Sequence, residues 1–431
     1  MTDTLFRLGR KFIPKKLFVL AQPIYHYFLA LLGAIIYRFP SRKIRVVAVT
    51  GTKGKTSTIE LINSVLEEAG YKTALASTLR FKIGSHSEPN LYKMTTPGRF
   101  FMQKFLRQAV RERCEWIVIE MTSEAIKLYR HKFINLNAVV FTNISPEHIE
   151  SHGSYEKYLD AKLKLRDALE QSPKKDIAII ANVDDREGIK FLEVKNARRF
   201  PFSLEKVEPY EAKDSGVLLT FLGKTISSPL RGIFNIYNIL AAATFAKSQN
   251  IPVEIIKKGI EEVKIIKGRV EYIHEGQNFT VIVDYAHTSD SLTALYETFR
   301  PTRQTYGPIS QKKLICVLGN TGGGRDKWKR PEMGKIADTY CDEIILTNED
   351  PYDEDPREIL ADMEKGFSKH KPEIILDRRE AIAAALGKAA ANSIVLITGK
   401  GTDPFIMGPN GSKILWDDAN MVREELKKLT R

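Results

Sequence analysis

Residues 46–58, VVAVTGTKGKTST, run from four apolar side chains into a loop of glycines, lysines and hydroxyls. An apolar strand that ends in a flexible cationic loop suits a nucleotide phosphate. Glycine lets backbone N–H groups converge on the anion, and lysine adds a point charge. Gly51, Thr52, Lys53, Gly54, Lys55, Thr56 and Ser57 are the candidate phosphate-binding residues, with the Thr56 hydroxyl placed to reach Mg2+. The full pattern wants glycine at position 49, where this chain has Val49, so the loop is a variant.

Three further groups could complete a metal–phosphate site. Glu120 ends the apolar run WIVIE, His148 follows another in FTNISPEHIESHG, and Lys162 lies in YLDAKLKL. Taken singly, a strand-end acid is most often a cap or ion-pair partner, a lone histidine a structural residue, and a lysine a solvated one. Their order along the chain, phosphate loop, strand-end Glu, strand-end His, helical Lys, is what lifts them together.

The elements that must hold these residues alternate from Ile44 onward. A strand at 46–49 leads to a helix at 56–69 that Gly70 stops. Thr96 reads as the N-cap of a helix with Pro97 in its first position. Strands at 116–120, 138–142 and 177–181 surround a helix from about 154 to 169, short strands fill 198–230, and a helix returns at 235–249. After a joint near 265–273 the runs FTVIVDYAH, KLICVLGN, DEIILTNED and SIVLITGKG each end in polar or Gly-rich residues, where open α/β sheets bind ligands. The fold expected is α/β: a P-loop-type central domain with a mostly parallel sheet (44–266) and a Rossmann-like C-terminal domain (267–431), preceded by an apolar, basic segment (1–43).

Length and composition, 431 residues with 43% hydrophobic and 28% charged, are those of a soluble globular protein of two or three domains. The net charge of +13 is local: residues 1–45 hold nine basic residues and one acidic, and no basic patch with interleaved aromatics follows, which argues against nucleic acid. Three scattered cysteines argue against disulfides and zinc, and for a reducing compartment; the expected location is cytoplasmic, with membrane association left open. Residues 17–39 are apolar with cationic flanks, but Pro23 is expected to split them into pieces too short to span a bilayer. Two readings remain: helices docked on the body of the protein or on a second subunit, or an interfacial membrane anchor.

These motifs resemble those of the Mur ligases, ATP-dependent amide ligases of peptidoglycan assembly, and within them the MurE type. TGTKGKTST, IEMTSEA, FTNISPEHIESHGSYEKYLDAKLKL, GIFNIYNILAA, DYAHTSDSL, GGGRDKWKRPEMG, TNEDPYDEDP and TGKGTD follow the family's motifs in order, from about Val46 to Lys428. The resemblance implies ATP and Mg2+ as cofactors, and phosphoryl transfer to a substrate carboxylate followed by amine attack. It puts Thr56, Glu120, His148 and a carbamylated Lys162 at the metals. It puts Asn235 and Asn238 near the adenine, and Arg269, Asp284 and His287 on the nucleotide from the second domain. Thr95, Thr96, Arg325, Asp326, Lys327, Asp350, Tyr352 and Asp403 fall on the substrate side. The partners implied are a small-molecule or peptide acceptor and an amino-acid donor.

The chain departs from the family in three places. Some 45 residues precede the phosphate loop where MurE-type enzymes carry a sugar-nucleotide domain, so UDP-MurNAc-dipeptide is expected to be a poor acceptor. The family's Asp-Asn-Pro-Arg is Glu349-Asp350-Pro351-Tyr352, in an acidic loop that would suit a cationic donor such as lysine. Its Ser-Ser-His is Thr122-Ser123-Glu124. A poly-amino-acid synthetase and a nucleotide-binding protein without catalysis are the rival readings.

Overall fold

The computed structural model describes residues 15–147, 149–300 and 312–429. The first α/β body is built on eight strands: β1 (Arg45–Thr50), β2 (Thr73–Ala76), β3 (Arg80–Ile83), β4 (His86–Pro89), β5 (Trp116–Glu120), β6 (Ala138–Phe141), β7 (Ala178–Asn182) and β8 (Arg198–Phe202). They lie in the order β4-β3-β2-β5-β1-β6-β7-β8, parallel except for the β2-β3-β4 edge. The central strands are buried on both faces, so they read as unbroken apolar runs rather than alternating ones. Register sets Val49 level with both Glu120 and Val140. The loop after β1 and the carboxylate at the end of β5 therefore emerge on one edge.

Helix α1 (Lys15–Ile36) is the first of the described elements, and α2 (Lys55–Glu68) opens directly from the phosphate loop. α2 and α5 (Ile233–Ser248) cover one face of the sheet and α3 (Arg99–Arg111) and α4 (Tyr155–Glu170) the other, while α1 packs on α3. A small antiparallel sheet of β9 (Glu211–Lys213), β10 (Gly216–Phe221) and β11 (Lys224–Ser228) packs beside α5.

The second body holds β12 (Glu271–Ile273), β13 (Thr280–Asp284), β14 (Leu314–Leu318), β15 (Glu343–Leu346), β16 (Glu373–Ile374) and β17 (Ile394–Thr398), in the order β12-β13-β17-β14-β15-β16. All pairs but β12–β13 are parallel. A hairpin of β18 (Phe405–Met407) and β19 (Lys413–Leu415) follows. The fold is thus α/β throughout, as the alternation implied.

Three expectations are corrected. First, α1 runs through Pro23 as one helix of 22 residues, forgoing a main-chain bond there, and does not break into two. None of the described helices is long and apolar enough to cross a membrane. Second, Thr96 is not a helix cap. It is buried, its hydroxyl donates to Glu120 O at 2.8 Å, and α3 begins three residues later after Gly98. Third, Cys316 on β14 and Cys341 after the helix Lys329–Tyr340 form a disulfide, their Cα atoms 6.1 Å apart. The crossover from β14 folds back beside its own strand, so a separation of 25 residues hid their proximity.

Candidate active site

The loop between β1 and α2 is shaped by contacts that only glycine permits. A Cβ on Gly51 (φ 153°) would lie 1.9 Å from Thr142 Oγ1, and one on Gly54 (φ 77°) 2.2 Å from Asn238 Oδ1. The segment just after β6 clamps the loop: Lys53 N donates to Asn143 Oδ1 at 2.9 Å, and Thr142 Oγ1 to Lys53 O at 2.7 Å. Thr52 Oγ1 pairs with the Tyr158 hydroxyl at 2.9 Å. Lys55 and Thr56 lie in the first turn of α2, whose leading N–H groups have no acceptor within the helix. Lys55 Nζ donates to Thr52 O at 2.8 Å; burial pulls its pKa down, against the pull of Glu120 and Glu147. Ser57 is buried beside it.

Glu120 is 3% exposed, and its Oε2 accepts from Thr56 Oγ1 at 3.1 Å, Thr78 N at 2.9 Å and Thr78 Oγ1 at 3.0 Å. The hydroxyl and carboxylate assigned to a metal are thus brought together, and both are hard oxygen donors. Thr95 Oγ1 sits 2.8 Å from Thr78 Oγ1, tying its loop to the same cluster. Lys162 is 1% exposed, its Nζ donating to Gly51 O at 2.7 Å above the Tyr158 ring. Burial first, then the charge of Lys55, drops its pKa well below 10.5. His148 lies outside the described residues, and among those no cluster of three or more His, Cys, Asp or Glu side chains could hold a metal.

Of the residues assigned to the nucleotide, Asn238 lies against the loop itself. Its Oδ1 accepts from Thr58 Oγ1 at 3.4 Å and its Nδ2 donates to Asn235 Oδ1, while Asn235 Nδ2 donates to Arg231 O. Arg269 reaches from the joint to within 3.5 Å of Thr56 Oγ1 and stacks over the Tyr285 ring at 4.4 Å. Asp284 accepts from Val270 N and Ala286 N, both at 2.7 Å, and burial raises its pKa. Lys53 Nζ crosses to Asp290 Oδ2 at 2.9 Å, and His287 Nε2 lies 3.6 Å from Glu147 Oε1.

Of the residues expected to meet substrate, Asp326 Oδ1 accepts from Glu150 N at 3.0 Å and Lys327 N donates to Glu150 Oε1 at 3.0 Å. Arg325 is exposed nearby. Lys93, which sequence reasoning missed, spans the two bodies: its Nζ donates to Asp350 Oδ2 at 2.7 Å, Asp403 Oδ2 at 2.5 Å and Phe405 O at 2.9 Å. Lys400 Nζ lies 3.0 Å from the same two carboxylates. Tyr352 packs on Gly323, where a Cβ would come within 2.7 Å of its ring.

Most acids of the 349–355 loop are already engaged. Glu354 pairs with Arg330 and Lys327, Asp353 accepts from Asn410 N, and Asp355 caps the helix Pro356–Glu364. Glu349 Oε2 and Asp403 Oδ1 are buried acceptors without a partner among the described residues. The acidic composition therefore does not make a cation-selective pocket by itself.

Sequence reasoning also passed over Glu147, one residue before His148 in the same motif. It is buried and acts on the charges of Lys55 and Lys162. Nor did it find a cationic cluster under α1. Arg99 Nε and Nη2, Arg130 Nε and His26 Nδ1 are buried without partners among the described residues. Burial, then Arg130, lowers the Arg99 pKa to about 10.

A phosphate loop facing a second α/β body, with a hydroxyl–carboxylate pair at the seam, defines a nucleotide-dependent two-domain enzyme. Residues 49–246 match the Mur ligase middle domain and residues 268–401 the Mur ligase, glutamate ligase domain. The chain is 37% identical over 411 residues to the UDP-N-acetylmuramoyl-L-alanyl-D-glutamate--2,6-diaminopimelate ligase of Syntrophomonas wolfei, covering 93% of this chain and 81% of that protein. It is 34% identical over 427 residues to the UDP-N-acetylmuramyl-tripeptide synthetase of Roseiflexus sp., covering 93% and 82%. A solved structure of a UDP-N-acetylmuramoyl-L-alanyl-D-glutamate--2,6-diaminopimelate ligase aligns with TM-score 0.60 and 27% identity over 90% of this chain and 79% of that one. Mycobacterium tuberculosis folylpolyglutamate synthase in complex with ADP shares the fold, with TM-score 0.67 at 17% identity over 86% and 91% of the two chains.

The chain belongs to the Mur ligase family. It is an ATP-dependent, ADP-forming amide ligase of MurE type that uses Mg2+.

Proposed function

We propose that this ligase joins an amino acid to a carboxylate of a peptide or cell-wall-precursor acceptor by way of an acyl phosphate. One observation carries the reading. Contacts between the two bodies, Arg269 to Thr56, Lys53 to Asp290, His287 to Glu147 and Lys93 to Asp350, ring the Lys55–Thr56–Glu120 cluster. A seam closed in this way excludes water from a reactive mixed anhydride. In chemical terms an acceptor carboxylate oxygen attacks the γ-phosphorus and the bond to the β-bridging oxygen breaks, releasing ADP. The donor amine then adds to the acyl carbon, phosphate leaves with the bonding electrons, and the amine proton passes to solvent.

In this reading the loop amides, Lys55 and Arg269 hold the phosphates. Thr56 and Glu120 would hold Mg2+, which when bound would neutralise the charge of the transferring phosphoryl group. Lys162 serves as a carbamate: burial keeps its amine neutral, and the lone pair adds CO2 with loss of one proton. Asn235 and Asn238 support the adenine side. Thr95, Thr96, Arg325, Asp326 and Lys327 face the acceptor, and Asp350, Tyr352 and Asp403 the donor. The partnerless guanidinium nitrogens of Arg99, at the start of α3, and of Arg130, which donates to Thr96 O beside Thr95, support an anionic acceptor group. The domain boundary falls near residue 266, the enzyme works in the cytoplasm, and α1 takes a further partner, a membrane surface or a second copy.

The test is ADP and phosphate release across a panel of carboxylate acceptors, UDP-MurNAc-dipeptide included, and of amino-acid donors. Products are read by mass for single or repeated addition. Release that depends on both acceptor and donor supports the reading. Hydrolysis of ATP indifferent to every acceptor and donor would refute it.

A further inference from the structure

Helix α1 is apolar on two faces, and the protein covers one of them. Ala30, Gly33 and Ala34 turn inward onto α3, where a Cβ on Gly33 would sit 3.7 Å from Phe100 and Gln103. The Tyr27 ring meets Phe133 at a centroid distance of 5.2 Å, closing the inner seam. On the other side Ile24, Phe28, Leu32, Ile35 and Ile36 are 47–61% exposed. Their spacing of four, four, three and one places them along one stripe. A helix that is apolar all round is normally enclosed, and a contiguous exposed apolar stripe marks a contact surface.

The charges around the stripe decide what encloses it. By sequence Lys15 and Lys16 stand at the helix's first residues, and Arg38, Arg42 and Lys43 follow its last. Across residues 1–45 nine basic side chains face a single acid. A second copy laid face to face would bring basic end against basic end in either orientation, with no acid within the segment but Asp3 to relieve it. A protein partner would need acids at both ends of an apolar groove. An anionic lipid surface supplies both features everywhere: a plane of negative headgroups over an apolar interior. No described helix is long and apolar enough to cross a membrane, so the contact is one of lying on the surface.

We propose that the outward face of α1 lies in the interface of an anionic lipid bilayer. Ile24, Phe28, Leu32, Ile35 and Ile36 sit below the headgroups, with the flanking lysines and arginines at the phosphates. Tyr27, half in contact with Phe133 and 40% exposed, sits at the boundary as tyrosines do. This commits the partner of α1 to one kind, and it rests on no assumption about acceptor or donor. The body docked beneath α1 is thereby held against the bilayer.

The full chain is floated with phosphatidylglycerol–phosphatidylcholine vesicles and with phosphatidylcholine alone, at low and high salt, with its mass followed by light scattering. The expected result is binding to the anionic vesicles about tenfold or more above the neutral ones, weakened by salt because Arg38, Arg42 and Lys43 are exposed. The double variant Phe28→Ser, Ile35→Ser is expected to lower vesicle binding about tenfold or more, because those apolar groups no longer enter the bilayer. Both residues project away from α3, so melting temperature and ADP binding are expected to stay unchanged. Absence of binding to anionic vesicles overturns the proposal, and so does equal binding by the double variant. A dimer of the wild type that the double variant dissolves, without vesicle binding, overturns it in favour of a second copy.

Discussion

Lys93→Ala removes the side chain that, among the described residues, ties the loop before Thr95 to the second body's carboxylates Asp350 and Asp403. The cluster it leaves, Lys400 with Asp350 and Asp403, changes from neutral to a net charge of −1. The side chains involved are 14% exposed for Lys93, 6% for Asp350, 10% for Asp403 and 0% for Lys400. Burial works against the Lys93 ammonium, but Asp403 and Asp350 outweigh it and raise its pKa. For unit charges 2.7 Å apart, Coulomb attraction at an effective dielectric of 20 comes to about 6 kcal/mol. Desolvation offsets much of it, and breaking a buried pair typically costs about 3–5 kcal/mol. Lys400 still serves both carboxylates, so about 2–3 kcal/mol is the expected loss.

Because the two sides of the cluster belong to different bodies, that loss falls on closure more than on the folding of either. It corresponds to roughly a 30- to 140-fold shift toward the open arrangement. Small-angle scattering with and without nucleotide should show a larger radius for Lys93→Ala. The Michaelis constant for the donor should rise, and Lys93→Arg should restore part of both. A Lys93→Ala protein with unchanged radius and unchanged donor dependence would refute the reasoning.

Gly54→Ala combines a left-handed φ, costing about 1–2 kcal/mol, with a clash on Asn238. It should abolish the melting-temperature shift that ATP gives, while Gly70→Ala (φ 84°, nothing within 4 Å) should keep it. Lys162→Ala should lose turnover and regain part of it with small added carboxylates; intact mass of the wild type under CO2 should show one added carboxylate. Unrescued, fully normal turnover of the variant would end the carbamate assignment. Burial, then Arg99 and Arg130, lowers the His26 pKa from 6.5 to about 4. Between those values the unfolded segment binds a proton that the docked one refuses. Docking of α1 should therefore be complete above pH 6.5 and weaken as pH falls toward 4, and His26→Gln should flatten that profile in hydrogen exchange.

The sequence by itself determined the phosphate loop, the alternation of strands and helices, and the strand-end position of Glu120. Each is written in contiguous residues: a period of side-chain burial, a glycine where φ is positive, a hydroxyl after a lysine. It also ordered the motifs well enough to show the family. What it could not determine is which distant groups meet. Thr96, with a cap's sequence signature, found a better acceptor in Glu120 O on the neighbouring strand. Cys316 and Cys341 met because a crossover returns to its own strand. The acids of the 349–355 loop looked like a cation pocket until the fold paired them, and Lys93 reaches Asp350 and Asp403 across 257 and 310 residues. α1 was visible as an apolar segment, but only its packing on α3 separates the face the protein covers from the face it leaves open. Local preference is a property of a few neighbouring residues, whereas charge pairing and burial depend on the approach of elements that no local pattern encodes.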